Sequence, residues 1–301
     1  MFKAFKYRIY PTNSQKELIA KHIGSSRFVF NLALETKNAA YISNKHNYSP
    51  FDLIKQLPEL KKECPWLKEV NSQSLQQSIQ NMDIAFKKFF KGAGFPKFKS
   101  KHKGKQSFSI PQNVIVENNL LNIPKLKKGI DIVLHREIKG TIKSATISVT
   151  PTGKYFVSIL VDTNTEMPIK APITESTTIG IDLGIKDFAI TSDGEVFDNP
   201  KFLRKAQSKL KYVQRKYSKT KGKRTKQRLA LLHEKVVNKR KDFLHKVSTK
   251  LIRENQTICL EDLNVAGMVK IHNLAQAIND VSWSTFVSML EYKADWYGKN
   301  I

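Results

Sequence analysis

Thr178-Ile179-Gly180-Ile181-Asp182-Leu183-Gly184-Ile185-Lys186-Asp187-Phe188-Ala189-Ile190-Thr191 is the stretch on which the reading of this 301-residue chain turns. It reads as a buried strand, a turn and a second strand, with Gly194-Glu195-Val196-Phe197 following. Asp182 lies within the otherwise apolar first strand. A second apolar run, Ile258-Cys259-Leu260, is closed by Glu261 within the strand expected over residues 256–264. A carboxylate in such surroundings is costly unless a partner meets it. Two carboxylates ending adjacent strands can hold Mg²⁺, which takes hard oxygen ligands and leaves room for phosphate. Two such ions ~3.5 to 4 Å apart activate water and stabilise the leaving oxygen of a phosphodiester. Asp182 capping a turn at Gly184, with Glu261 merely exposed at a strand end, is the alternative, and the residues alone leave both open.

Between the two acidic positions, residues 202–245 read as polar helix. They carry the candidate phosphate contacts Arg204, Lys205, Lys209, Arg215, Lys216, Lys223, Arg224, Arg228, Lys239 and Arg240. Residues 219–225, with Gly222, turn the chain so that two helices form an antiparallel pair. Residues 281–297 give an amphipathic helix with Trp283, Phe286, Leu290 and Tyr297 at helical spacing.

Upstream, a polar linker over residues 164–178 with Pro168 and Pro172 marks a domain boundary. Residues 107–162 read as strands, including 129–134, 145–149 and 154–161, with a turn at Thr150-Pro151-Thr152-Gly153. These make a small antiparallel sheet or barrel that a basic first strand, Phe2 to Tyr10, can join. Lys3, Lys6 and Arg8 of that strand are candidate nucleic-acid contacts. Asn13 or Ser14 caps the next helix, with Glu17 in capping-box position to Ser14. Gly24-Ser25-Ser26 is expected to break it, giving a helix, a turn and a second helix that carries Arg27. Helical patterns cover residues 50–60 and 72–90. Then Lys87, Lys88, Lys91, Lys97, Lys99, Lys101, Lys103 and Lys105 follow without an acidic residue among them, alternating with Phe89, Phe90, Phe95, Phe98 and Phe108. That pattern suits a loop that grips phosphates while rings pack or stack. A solvated basic linker is the alternative.

The composition agrees with such a partner. Lys+Arg 52 against Asp+Glu 26 leaves +26, and a surface this basic attracts a polyanion and releases its counterions. Hydrophobic content of 40% is enough for real cores, which excludes a disordered tail or a coiled coil. The lysines recur through the chain instead of lying on one amphipathic helix, which disfavours a membrane surface. No apolar run is long enough to span a bilayer, and the N-terminus lacks signal-peptide features, so the expected location is cytoplasmic and nucleoid-associated. Cys64 and Cys259 have no His or Cys at ligand spacing and are expected reduced and buried, with no zinc.

Three motifs carry a resemblance. They are Gly180-Ile181-Asp182-Leu183-Gly184-Ile185-Lys186-Asp187-Phe188-Ala189, Ile258-Cys259-Leu260-Glu261-Asp262-Leu263-Asn264-Val265-Ala266-Gly267-Met268, and Val281-Ser282-Trp283. Together with Phe5-Lys6-Tyr7-Arg8-Ile9-Tyr10-Pro11-Thr12 and Gly94-Phe95-Pro96-Lys97-Phe98-Lys99, they closely resemble the TnpB proteins of insertion sequences, also called OrfB-type and related to type V CRISPR effectors. The resemblance runs the length of the chain. It implies an α+β multidomain protein. A wedge-type β-barrel (residues 1–12 and 107–165) would be interrupted by a helical recognition lobe (13–106) and followed by a RuvC-like domain of ribonuclease H fold (175–301).

By resemblance Asp182 and Glu261 match the first two of three catalytic acids and would be a weak Mg²⁺ site. The family continues into a further strand, a zinc ribbon and a third catalytic Asp, none of which occurs here. Asp262 falls on the opposite strand face, and Asp280 and Asp295 are not expected to substitute. The reading is therefore an RNA-guided DNA-binding protein that does not cleave and acts as a transcriptional repressor by occupying its target. Its partners would be a guide RNA with scaffold and double-stranded target DNA with a short adjacent motif, read near Gly24-Ser25-Ser26. Mg²⁺ would not be required for binding, no zinc is expected, and an oligomer is possible. An RNA-guided Mg²⁺-dependent endonuclease and an unguided helix-turn-helix regulator using residues 14–34 are the rival readings.

Overall fold

In a computed structural model the chain divides into two compact units, Met1–Thr165 and Glu166–Ile301. The structure describes residues 1–102, 104–268 and 272–301.

The first unit is built on β1 (Phe2–Tyr10), whose Tyr7 and Ile9 are fully buried. Strand β1 pairs antiparallel with both β7 (Tyr155–Asp162) and β5 (Ile130–Val133). The sheet adds β2 (Gln106–Ile110), β3 (Ile115–Glu117), β4 (Leu120–Asn122) and β6 (Thr141–Val149) in the order β2-β6-β7-β1-β5-β4-β3. The expected barrel does not close, because β2 and β3 are both free ends of the order. Strands β3 and β4 have only 3 residues each, too few to carry the ladder round to β2. The free edge of β2 instead meets the helices, which cover it as an exposed edge requires.

Helix α1 (Asn13–Asn44) differs from its expected form in two ways. Thr12, not Asn13 or Ser14, is the N-cap: the Gln15 amide donates to Thr12 Oγ1 at 3.4 Å, and the Thr12 amide to Gln15 Oε1 at 2.9 Å. The helix also runs straight through Gly24-Ser25-Ser26, so no helix-turn-helix forms. Mid-helix Gly costs about 1 kcal/mol against Ala. Tertiary packing outweighs it, because Ile19 and Ile23 lie in the core of the sheet while Val29, Phe30, Ala33 and Leu34 lie in a helical core. That second core is completed by α2 (Pro50–Lys55), α3 (Leu57–Glu63) and α4 (Ser72–Phe90).

His22 joins these elements. Its Nδ1 faces the Leu18 carbonyl at 2.8 Å, its Nε2 accepts from the Asn71 amide at 3.0 Å at the cap of α4, and its ring stacks on Phe108 of β2 at 4.7 Å. The Asn71 bond requires an unprotonated Nε2.

The second unit is a four-stranded mixed sheet, β10-β9-β8-β11. Strands β8 (Thr178–Asp182), β9 (Asp187–Thr191) and β10 (Val196–Asp198) are antiparallel, and β11 (Thr257–Leu260) lies parallel to β8. A parallel neighbour needs a long crossover. Helices α5 (Phe202–Thr220) and α6 (Lys223–Glu254) supply it as an antiparallel pair, turning through a left-handed Lys221 and an extended Gly222 where the turn was expected. Helices α7 (Val265–Met268), α8 (His272–Val281) and α9 (Trp283–Tyr297) follow. Phe188 packs edge-on against Phe243 of α6 and Phe286 of α9 at the centre of this core. Contrary to expectation, Cys259 is exposed and Cys64 only half-buried, both as free thiols.

Burial pushes the His22 pKa below the ordinary histidine value; the Leu18 carbonyl partly offsets this and Lys125 adds to it. A histidine held neutral in the fold contributes stability that is complete above the unfolded value of about 6.5 and declines as pH falls through it toward the lowered folded value. The urea midpoint is therefore expected to drop between pH 7 and pH 5, and His22→Gln should flatten that drop. An equal pH dependence in both proteins would count against the assignment.

Candidate nucleic-acid interface and carboxylate pair

The sheet of the second unit brings the two acidic positions together. Leu260 of β11 lies opposite Ile181 of β8 in parallel register, so the next residue on each chain is Glu261 beside Asp182. Ile179, Ile181 and Ile258 enter the core, and strand alternation sends Asp182 and Glu261 to the other face, where both are exposed. Gly180 and Cys259 precede them on that face. Gly184 tightens the turn after Asp182: its amide donates to the Phe188 carbonyl at 3.3 Å, and a Cβ there would lie 2.7 Å from the Asp187 carbonyl oxygen. The carboxyl ends of adjacent parallel strands are where α/β sheets bind ligands.

Two hard-oxygen donors fit Mg²⁺, which is commonly held by one or two carboxylates together with substrate phosphates. Among the described residues no group of three His, Cys, Asp or Glu side chains could hold a metal. Asp280 and Asp295 are engaged elsewhere. Asp295 pairs with Lys170 at 3.5 Å. Asp280 caps α5, whose own N-cap Lys201 is left-handed and makes no side-chain cap: it accepts from the Leu203 amide at 3.0 Å and the Arg204 amide at 3.2 Å. It also pairs with Arg240 at 3.1 Å. Arg240 is thereby corrected: it is a partly buried tie between α6 and α8, not an outward phosphate contact.

The other candidate phosphate contacts of the helical pair, Arg204, Lys205, Lys209, Arg215 and Lys216 on α5 and Lys223, Arg224, Arg228 and Lys239 on α6, are exposed. Their apolar partners explain the orientation. Leu210, Val213 and Val236 are buried, and the cations take the other faces.

In the first unit, Lys3, Lys6 and Arg8 lie along β1. Lys6 Nζ sits 4.3 Å over the Phe156 ring, and the Arg8 guanidinium lies 5.0 Å from that ring and 5.2 Å from Tyr10. Lys87 pairs with Asp83 at 3.0 Å while staying largely exposed. Lys88, Lys91, Lys97, Lys101 and Lys105 are exposed, and Lys103 lies outside the described residues. The basic loop is docked, not merely solvated. The Lys99 amide donates to Asn31 Oδ1 at 2.8 Å, Asn31 Nδ2 donates to the Lys99 carbonyl at 3.0 Å, and Lys99 Nζ lies 3.9 Å over the Phe30 ring. Desolvation there pushes the Lys99 pKa below the ordinary lysine value. Arg27 of α1 donates to Gln106 Oε1 of β2 at 3.0 Å. Sequence reasoning missed the Asp280 tie and the Asn31 clasp, since neither residue stands out by type or spacing.

With this geometry established, comparison with known proteins identifies relatives. Residues 158–272 match the OrfB_IS605 family, described as "Probable transposase", and residues 1–46 match a family described as "Helix-turn-helix domain". In this chain the latter stretch holds β1 and the uninterrupted α1. A Streptomyces pristinaespiralis protein described as "Putative RNA-guided DNA endonuclease" is 37% identical over 99% of this chain and 76% of its own length. The chain belongs to the TnpB family. Another TnpB relative, InsQ of Escherichia coli (strain K12), with the same description, is 32% identical over 99% of this chain and 79% of its own length. A solved chain from a Cas12f1-sgRNA-target DNA complex matches with a TM-score of 0.56 at 11% identity, covering 100% of this chain and 88% of that one, which establishes likeness of fold. No helix among the described residues is long and apolar enough to cross a membrane.

Two outcomes follow from this geometry. Asp280→Ala should cost about 3 kcal/mol in denaturant unfolding, because it strands Arg240 and uncaps α5, and Asp280→Asn should cost less. Replacing Arg204, Lys209, Arg215 and Lys216 by Gln should reduce the salt slope of duplex DNA binding by up to about 0.9 per lost phosphate contact. An unchanged slope would remove α5 from the interface.

Proposed function

We propose that this chain is the protein part of an RNA-guided DNA-binding complex that acts by occupying its target, as a transcriptional repressor. The guided DNA-binding part of the reading is supported by the likeness over 99% of the chain to a relative described as "Putative RNA-guided DNA endonuclease". In this proposal base pairing with a guide RNA selects the target, while the protein holds the heteroduplex through its backbone and reads a short adjacent motif. Residues 1–12 and 107–165 act as the wedge, residues 13–106 as the recognition lobe, and residues 175–301 as a RuvC-like unit.

Phosphate contact is assigned to the exposed cations of α5, α6 and the docked loop. Asp182 and Glu261 would hold Mg²⁺ jointly with a phosphate, and the ion would supply charge neutralisation there. Occupancy without cutting is favoured because Asp280 of α8 and Asp295 of α9 are engaged with Arg240 and Lys170.

Purification from the native host with sequencing of the copurified RNA tests the proposal. A discrete RNA with a constant scaffold and a variable end is expected, together with RNA-dependent binding of the matching duplex. Asp182→Ala should bind that duplex within two-fold of the parent, and no strand should be cut in Mg²⁺. Random RNA would overturn guidance, and Mg²⁺-dependent cutting abolished by Asp182→Ala would overturn occupancy in favour of an endonuclease.

A further inference from the structure

A groove of about 520 Å³ in the first unit lies where α1, α4 and β2 meet the basic loop. Its lining combines three features that point to a ligand. Arg27, Lys97, Lys99 and Lys105 line it, and none of the described residues lining it is acidic. Ser26, only 5% exposed, also lines it, and its hydroxyl has no hydrogen-bond partner. A buried hydroxyl left unsatisfied is uncommon enough to call for a missing partner. Phe98 forms part of the wall while remaining 58% exposed.

These features select a ligand class. A simple anion would use the cations but not the aromatic wall, and an apolar molecule would use the wall but not the cations. An unstacked nucleotide uses both, since nucleotide-binding proteins pair a cationic grip on phosphate with aromatic rings that stack on bases. Asn81 adds an edge-reading group: its Oδ1 accepts from Gln77 Nε2 at 3.3 Å, which leaves its amide N–H groups as the donors. Arg27 spends one of its five donors on Gln106 Oε1, which fixes the guanidinium and leaves the others available.

We infer that this groove holds one unstacked nucleotide of a single-stranded segment. The phosphate lies among Arg27, Lys97 and Lys105, the base lies against Phe98, and the base edge meets the Ser26 hydroxyl and the Asn81 amide. Lys99, anchored over Phe30, holds the loop wall in place. The inference deepens the nucleic-acid reading above but does not depend on guidance.

The test uses the full chain stripped of copurified RNA, with fluorescein-labelled oligo(dT) and oligo(U) as probes. Phe98→Ala should weaken binding roughly ten-fold with an unchanged salt slope, and Phe98→Tyr should restore it. Ser26→Ala should weaken binding several-fold without lowering the melting temperature, which a merely structural hydroxyl would not do. Lys97→Gln with Lys105→Gln should lower the salt slope by about 1.4, the single-strand value for two phosphate contacts. Binding within two-fold of the parent for both Phe98→Ala and Ser26→Ala, in folded protein, overturns the nucleotide site. Guided target binding by RNA-loaded parent protein separates the two readings. Its absence alongside Phe98-dependent oligonucleotide binding sinks guidance and keeps the groove, and its presence alongside indifferent variants does the reverse.

Discussion

An unbroken helix of 32 residues, about 48 Å long at 1.5 Å per residue, holds the first unit together. The N-terminal half of α1 is bound to the sheet by Ile19 and Ile23, and its C-terminal half to the helical core by Val29, Phe30, Ala33 and Leu34. Gly24-Ser25-Ser26 sits at the change from one core to the other. Small side chains there let the helix lie close to both sets of neighbours, with Ser25 and Ser26 buried. Three contacts that hold the basic loop and β2 start from this helix: His22 to Phe108, Arg27 to Gln106, and Asn31 to Lys99. Two helices joined by a flexible turn would let these contacts move independently. A single rod fixes their spacing.

A different constraint orders the second unit. Asp182 and Glu261 stand side by side only because β11 runs parallel to β8, and that direction is possible only with a long crossover. The crossover is the α5–α6 pair, so the helices that present most of the second unit's basic residues also allow the parallel pairing that puts the carboxylates side by side. Asp280 secures this arrangement by capping α5 and pairing with Arg240 of α6. A partly buried ion pair of this kind is weak evidence for added stability. Its orientation of α5, α6 and α8 against one another is the stronger argument for it.

Much of this was legible in the sequence, and the failures share a cause. The period-two pattern located β1 and β7, the helical period located α4 over residues 72–90, and Gly222 located the hairpin. Local patterns could not say whether Gly24-Ser25-Ser26 would break a helix, because the outcome was set by two cores distant in sequence. Nor could they say whether the sheet would close, since alternation assigns faces and not edge partners. Cys259, expected buried as a free thiol without ligand partners, lies beside Gly180 in register and so on the carboxylate face. Arg240 looked like its basic neighbours, and only the fold reveals its acidic partner on another helix. Chemistry set by residue type, such as the carboxylate pair, could be read early; chemistry set by tertiary pairing could not.

The distribution of charge bears on how such a protein can hold a polyanion. With +26 overall, the two units attract phosphate at long range, and the attraction weakens as salt screens it. Asp182 and Glu261 oppose that attraction locally, because two neighbouring carboxylates repel each other and any phosphate that approaches them. A strand held near the pair must therefore draw its binding energy from the surrounding cations, unless a divalent ion lies between. Because the exposed cations of α5 and α6 greatly outnumber the two acids, affinity and the chemistry of the acid pair are separable properties of this unit. One can vary with little change in the other.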